Sequence, residues 1–180
     1  PPTNLARAKN ALRRGARVVV IDHRRSETAK AIRAEWLGIR PGTDGALALG
    51  ICHVMIQEKL YDAAFVNQWT HGFAELANYV AAFTPARVEA ITGVPAESVV
   101  DLARAVGAAK GCSILMYTGL EYSNSGVQSI RAVLAIQALG GHIDVPGGKL
   151  FKMPERVQHH RTTTQPPATG KRPFGADRYP

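Results

Sequence analysis

The chain has 180 residues, of which 46% are hydrophobic, and its formal net charge is +8. The length suits one domain, and the hydrophobic share argues against disorder. The charge is compatible with nucleic acid, a membrane surface or a phosphorylated ligand, but the basic residues are scattered, so a solvated basic face explains it equally well. No apolar stretch is long enough for a membrane span, and no direct membrane insertion is expected.

The two cysteines, Cys52 and Cys112, lie far apart in apolar runs and are predicted to be buried free thiols. No CxxC spacing occurs, so no zinc or iron–sulfur framework is expected within the chain. Because the chain opens on Pro1 and runs straight into a helical pattern, we expect it to be a segment of a longer polypeptide.

The first half of the chain predicts alternating helices and strands. Apolar residues of Asn4–Arg14 share one helical face. The β-branched run Arg17–Ile21 predicts a buried parallel strand. A short helix with an N-capping serine follows at Ser26–Arg33, and a second short strand follows at Trp36–Ile39.

The second half is mostly helical. After a turn at 40–45, an apolar helix is expected at Ala46–Leu60, followed by a helical run over 61–109 without a strand pattern. Ser113–Thr118 predicts a third strand, and Gly126–Leu139 predicts another apolar helix. Residues 151–180, rich in proline, threonine and basic residues, are expected to form an extended linker or tail.

This order indicates an α/β fold for residues 1–150: a Rossmann-like parallel sheet flanked by helices, with a helical insertion between strands two and three. Ligands of open α/β sheets bind beyond the carboxyl ends of the strands. That rule selects three stretches, at 22–25, 40–44 and 118–124.

Asp22 follows the first strand, where Rossmann-like folds bind ribose hydroxyls. Capping of the next helix is an equally good interpretation of its position. Arg24 and Arg25 come directly after it, and a guanidinium there suits a pyrophosphate, although surface charge is the better explanation of either arginine taken alone.

The second stretch, Pro41–Asp44, joins a strand end to a helix start, a geometry that suits an anion. Asp44 adds a carboxylate, which can accept from the adjacent N1–H and N2–H donors of guanine; adenine lacks that donor pair. The alternative is that Thr43 or Asp44 caps the helix, and spacing alone favours the cap.

The third stretch, Gly119–Gly126, is a polar loop that could meet the rim of a ring system; Ser125 as a simple N-cap is the alternative. The familiar phosphate loops, GxGxxG and GxxxxGK[ST], do not occur, which argues against a standard NAD domain or P-loop.

Four strings, in order, complete the pattern: RVVVIDHRRSETA, WLGIRPGTDGALALG, TPARVEAITGVPAESV and QALGGHIDVPGG. Together they resemble the molybdopterin oxidoreductase family, the dimethyl-sulfoxide-reductase-like group, over about residues 1–150. The resemblance implies an enzyme whose cofactor is bis-molybdopterin guanine dinucleotide with molybdenum or tungsten. This chain would be the α/β domain that binds one guanine dinucleotide, without a catalytic residue or metal ligand of its own.

The resemblance also implies a set of cofactor-binding residues. The guanosine and diphosphate would contact Ile21, Asp22, His23, Arg24 and Arg25 after the first strand, and Gly42, Thr43 and Asp44 after the second. The pterin side would contact Thr118 and Tyr122. The family usually has proline where this chain has His23.

The metal's protein ligand and any iron–sulfur cysteines are expected upstream, and a second cofactor-binding domain downstream. The partners would be these domains and possible electron-transfer subunits, with no nucleic acid. Substrate and compartment, cytoplasmic or periplasmic, are not determined.

Two other functions fit parts of the pattern. A free-standing nucleotide- or nucleic-acid-binding module would explain the charge, but the chain lacks interleaved aromatic residues and any nucleic-acid motif. A structural subunit that has lost its cofactor would explain the fold, but retention of Asp22 and of the RPGTDGALALG string makes it less attractive.

Overall fold

The computed structural model describes residues 2–151. The described residues form two strands and nine helices: α1 (Pro2–Arg13), β1 (Val19–Asp22), α2 (Glu27–Ile32), β2 (Glu35–Gly38), α3 (Asp44–Gln57), α4 (Ala63–Trp69), α5 (Phe73–Val80), α6 (Pro85–Thr92), α7 (Ala96–Ala108), α8 (Thr118–Glu121) and α9 (Gly126–Leu139). The first two predicted strands are confirmed within two residues, and α9 has the predicted bounds.

The sheet consists of β1 and β2, which pair in parallel with Asp22 opposite Gly38. The short helix α2 makes the crossover that two parallel strands need. Ser26 caps this helix as predicted, because its side chain accepts a hydrogen bond from the backbone N–H of Ala29 at 3.4 Å. Both strands therefore end at the same edge of the sheet.

Arg17 connects the amino-terminal end of the sheet with helix α7. Its guanidinium donates to both carboxylate oxygens of Glu35, on β2, and also pairs with Asp101, on α7. All three side chains are partly exposed, so the cluster contributes little more than a surface ion pair would.

The core is helical. Helix α3 is buried on most sides, as its apolar sequence predicts, and it packs against α9, α7 and α6. Most residues of the hydrophobic core come from these four helices and are almost completely buried; they include Leu47, Ile51, Met55, Val88, Val99, Leu102 and Ile136. The helical run between β2 and residue 109 is thus confirmed as α3 to α7, and it supplies most of the apolar surface that stabilises the domain.

The predicted third strand at Ser113–Thr118 is wrong for the described residues. Side chains do alternate there as in a strand: Ile114 and Met116 pack against the core, whereas Leu115 and Tyr117 are exposed. A strand also needs a hydrogen-bonded neighbour, and no described backbone hydrogen bond involves residues 113–116. The segment is extended but unpaired, and Thr118 already begins α8.

The mixed α/β class is therefore confirmed, with a parallel sheet of two strands among residues 2–151. The Rossmann-like arrangement stays a prediction. The predicted tail at 151–180 lies outside the described residues, except for Phe151. Within the described range, no helix has the length and apolar character needed to cross a membrane.

The two cysteines are free thiols, as predicted. Cys52 is completely buried, and this burial raises its pKa to about 12. Cys112 is partly buried, and burial raises its pKa as well. Neither thiol therefore forms a nucleophilic thiolate at neutral pH.

Candidate functional site

The edge at which β1 and β2 end carries the first two stretches selected from the sequence. Asp22 is the last residue of β1, and the segment after Gly38 on β2 leads into Pro41–Asp44. Because the strands are parallel and adjacent, the loops that leave them are neighbours. The topology thus brings the two predicted groups of residues together.

Asp22 does not cap the following helix, since Ser26 has that role. Instead, Oδ1 of Asp22 accepts a hydrogen bond from the backbone N–H of Arg24 at 3.2 Å and lies 3.0 Å from Nδ1 of His23. Its backbone carbonyl accepts from the indole N–H of Trp36 at 3.1 Å. The strand end is therefore fixed on both sides, while Oδ2 has no hydrogen-bond partner among the described residues.

The second stretch is a tight turn that depends on glycine. Gly42 has a φ of +78°, a conformation that costs a side chain about 1–2 kcal/mol. Thr43 precedes α3 but does not cap it with its side chain; its hydroxyl donates back to the carbonyl of Arg40 at 2.7 Å. Capping by Thr43, the alternative that spacing favoured, is thus not what its side chain does.

Two backbone donors of this turn are left over. The N–H groups of Gly42 and Gly45 donate to no carbonyl of residues 2–151. Asp44 opens α3, so these donors lie at the positive end of a fourteen-residue helix. Such an end suits an anion.

The carboxyl group of Asp44 is affected by its burial and by the charge of Asp22. Burial raises the pKa of Asp44 above its ordinary value, a hydrogen bond from its own backbone opposes the shift, and the nearby charge of Asp22 raises the pKa further. Two carboxylates close enough to repel each other therefore share this edge of the sheet.

The third stretch is linked to the second through α9. Gly126, at the start of α9, lies against the backbone carbonyls of Leu120 and Glu121, which leaves no room for a side chain. One turn further, Ser129 lies beside Gly45 and 3.4 Å, oxygen to oxygen, from Ser125. Ser125 makes no side-chain cap, so the capping alternative does not describe it either.

The remaining predicted residues are exposed and make few contacts. Tyr122 is 86% exposed and Thr118 is exposed at the start of α8, and neither contacts Asp22 or Asp44 by any described hydrogen bond. Arg24 and Arg25 are exposed and form no ion pair with the described residues. Ile21, 39% exposed, continues the strand that ends at Asp22. Their roles stay predictions.

Arg40 lies in the second selected stretch, but the sequence analysis gave it no role of its own. Arg40 precedes the turn, and its guanidinium and backbone N–H bind the end of α6, about fifty residues along the chain. No local signal could have shown this, because an arginine next to Pro-Gly is equally compatible with solvent. The described residues contain no cluster of three or more potential metal ligands.

The sequence matches a family of known proteins over most of its length. The family model "Molybdopterin oxidoreductase" matches residues 1–165. A probable oxidoreductase, YoaE of Bacillus subtilis, is 34% identical over 86% of this chain and 23% of its own length. Formate dehydrogenase H of Escherichia coli is 38% identical over 76% of this chain and 19% of its own.

A solved structure is also similar. Acetylene hydratase from Pelobacter acetylenicus superimposes with a TM-score of 0.74 at 35% identity, over 79% of this chain and 19% of that one. The chain therefore spans about a fifth of the length of these relatives.

Proposed function

This chain belongs to the molybdopterin oxidoreductase family, and on that premise we propose that it is the Rossmann-like domain that binds the guanine dinucleotide part of a bis-molybdopterin guanine dinucleotide cofactor. The observation that carries the proposal is the pair of aspartates at one sheet edge, with the pKa of Asp44 raised by burial and by Asp22. The cofactor's molybdenum or tungsten supplies the redox chemistry, and this chain supplies binding and orientation.

The proposed guanine contact is made by Asp44. A half-buried carboxylate with a neighbouring negative charge is costly unless donors satisfy it. Guanine presents two adjacent N–H donors, so a single carboxylate accepts both. The energetic cost visible in the raised pKa is thus removed when the base binds, which favours guanine over adenine.

The ribose and the diphosphate are proposed to bind next to it. Oδ2 of Asp22, which is unengaged within the described residues, is suited to accept from ribose hydroxyls. The leftover N–H groups of Gly42 and Gly45 suit phosphate oxygens at the helix start. Arg24 and Arg25 follow Asp22 on the same loop and add positive charge.

Thr118 and Tyr122 are proposed to approach the pterin side. The link from Gly45 through Ser129 to Ser125 supports this, since it holds the third loop near the start of α3. The metal ligand, any iron–sulfur cluster, a second cofactor-binding domain and electron-transfer partners would belong to other parts of the enzyme. We propose these further parts because the chain covers only about a fifth of the length of its relatives.

The proposal is tested at Asp44 in the full-length enzyme. Acid hydrolysis of the purified protein releases the guanine nucleotide, which is then counted per polypeptide. Asp44→Ala and Asp44→Asn are expected to lower this content at least about tenfold, because hydrogen bonds to a charged group contribute about 1.5–3 kcal/mol each. Glu97→Gln, which neutralises an exposed carboxylate on α7, is the matched control and should change nothing. Full guanine content in both Asp44 variants would refute the assignment.

A further inference from the structure

Arg40 donates hydrogen bonds to three backbone carbonyls at the carboxyl end of α6, and these carbonyls have no other partner among the described residues. Its backbone N–H donates to the carbonyl of Thr92 at 2.9 Å, and Nη1 donates to the carbonyls of Ala90 at 2.6 Å and Ile91 at 3.1 Å. The fourth terminal carbonyl, that of Glu89, accepts from the backbone N–H of Gly93 at 2.8 Å. An α-helix leaves its last four carbonyls unpaired, and here Arg40 satisfies three of them.

The contact is electrostatically favourable as well. The carboxyl end of a helix is the negative end of its dipole, and a guanidinium there is stabilising. Since Arg40 lies just before Pro41, it fixes the point at which the chain enters the turn of Gly42–Asp44. The same residue shapes the turn directly, because its carbonyl accepts from the hydroxyl of Thr43 at 2.7 Å.

Helix α6 is itself a rigid anchor. Val88 and Thr92 on this helix are completely buried. Gly50 allows α3 and α6 to pack closely, because a Cβ at that position would lie 2.6 Å from Cγ2 of Val88. Helix α3, which follows the turn and begins at Asp44, packs against α6. Arg40, which precedes the turn, binds the end of the same helix α6.

We propose that Arg40 is a positioning residue of the nucleotide site, which uses the end of α6 to fix the Gly42–Asp44 turn. The inference rests on the proposed function. It gives the helical run after β2 a role: the end of α6 binds Arg40 and thereby fixes the start of the turn. A turn free to move at its entry would spread the N–H donors of Gly42 and Gly45 and the carboxylate of Asp44 over several positions, and fewer of them would meet the ligand at once.

The test compares substitutions at Arg40 in the full-length enzyme. Arg40→Met removes the charge and the side-chain donors but keeps the backbone N–H that donates to Thr92, and it is expected to fold because the side chain is exposed. It should lower the guanine nucleotide content about three- to tenfold, because it loosens the turn that presents the donors without removing a direct contact with the ligand. Arg40→Lys should restore at least about half, since an ammonium group can still donate to the helix end.

The matched control is Arg17→Met. This arginine also makes several charged hydrogen bonds, but to Glu35 and Asp101 at the opposite end of the sheet. It should leave the guanine content unchanged. An equal loss in both variants would mean that general destabilisation is the cause, which would overturn the inference.

A second measurement separates positioning from direct contact with a phosphate. In cofactor-free protein, amide hydrogen exchange over residues 85–94 should be faster in Arg40→Met than in wild type, and unchanged in Arg17→Met. Lower guanine content with unaltered exchange would mean that Arg40 contacts the ligand itself, and the inference would be wrong. Asp44→Ala is measured in parallel: if its content is normal, the proposed function fails; if it is low while that of Arg40→Met is normal, only the inference fails.

Discussion

A Cβ atom at Gly45 would lie 2.7 Å from Oγ and 3.3 Å from Cα of Ser129. A side chain at position 45 would therefore require Ser129, and with it the first turn of α9, to shift away from the start of α3. This contact joins two predicted loops, because Gly45 follows Asp44 and Ser129 lies one turn after the polar stretch at 119–126. The glycine after Asp44 is therefore a packing residue as well as part of a turn.

Gly45→Ala is predicted to separate α3 from α9. We expect about 1–3 kcal/mol of lost stability, the usual cost of overpacking, and a lower guanine nucleotide content. Ser129→Ala alone should have little effect, because it removes only a long hydrogen bond to Ser125.

The double variant Gly45→Ala, Ser129→Ala should recover much of the loss, since the closest atom is gone. Thermal unfolding and nucleotide content of the four proteins form a double-mutant cycle. Strictly additive effects would contradict the proposed steric contact.

Gly42 offers a test of the turn. Its φ of +78° penalises a side chain although no atom lies within 4 Å of the position that a Cβ would take. Gly42→Ala should therefore cost about 1–2 kcal/mol through the backbone and lower guanine content about tenfold. Gly42→Asn should do less harm, because asparagine tolerates this conformation better.

Gly15 is the matched control for Gly42. Its φ is +86°, it has equally open surroundings, and it lies between α1 and β1, outside the three selected stretches. Gly15→Ala should show a similar loss of stability with normal guanine content. A comparable fall in content would mean that strain anywhere in the domain releases the ligand, and the turn would have no special role.

The raised pKa of Asp44 predicts a conflict between binding and stability. An aspartate whose folded pKa lies above its ordinary value of 3.8 destabilises the fold when ionised. The penalty is absent well below that value and grows as pH rises through the window between the ordinary and the folded pKa. Cofactor-free Asp44→Asn should accordingly be more stable than wild type at pH 7, and the difference should disappear below about pH 4.

The measurement is the unfolding midpoint of cofactor-free protein between pH 3 and pH 8. A gain on the order of 1 kcal/mol is expected, because the side chain is only half-buried and solvent screens part of the repulsion. Glu97→Gln, again the exposed control, should show no gain. A loss of stability in Asp44→Asn at pH 7 would contradict the direction of the shift.

Local signals predicted the elements next to the site well. The run of valines before Asp22, the serine at position 26 and the apolar stretch after Asp44 each specify their structure within a few residues, and β1, α2 and α3 follow them closely. The glycine of RPGTDG also predicted the turn, because a positive φ is a property of one residue. The aspartate pair was predictable from topology, since parallel strands end at one edge.

The prediction of a third strand was wrong because the local pattern does not show whether a segment has a hydrogen-bonded neighbour. Residues 113–117 have the alternation of a strand, and Ile114 and Met116 point to the core as a strand's inner face would. Pattern records which side chains are buried, but a strand is defined by its hydrogen-bonded neighbour, and the described residues supply none.

The sequence by itself determined the family, the two strands and the glycine turn, and it singled out the two aspartates as candidate site residues, because each of these depends on sequence motifs, neighbouring residues or one sheet edge. Only the tertiary structure decided that Arg40 binds the end of α6, that Gly45 packs on Ser129, and that burial, with a smaller contribution from the charge of Asp22, raises the pKa of Asp44. These relations join residues between about twenty and eighty-five positions apart, and chain separation of that length leaves no trace in local composition or period. They exist because the helical core sets the distances between the loops.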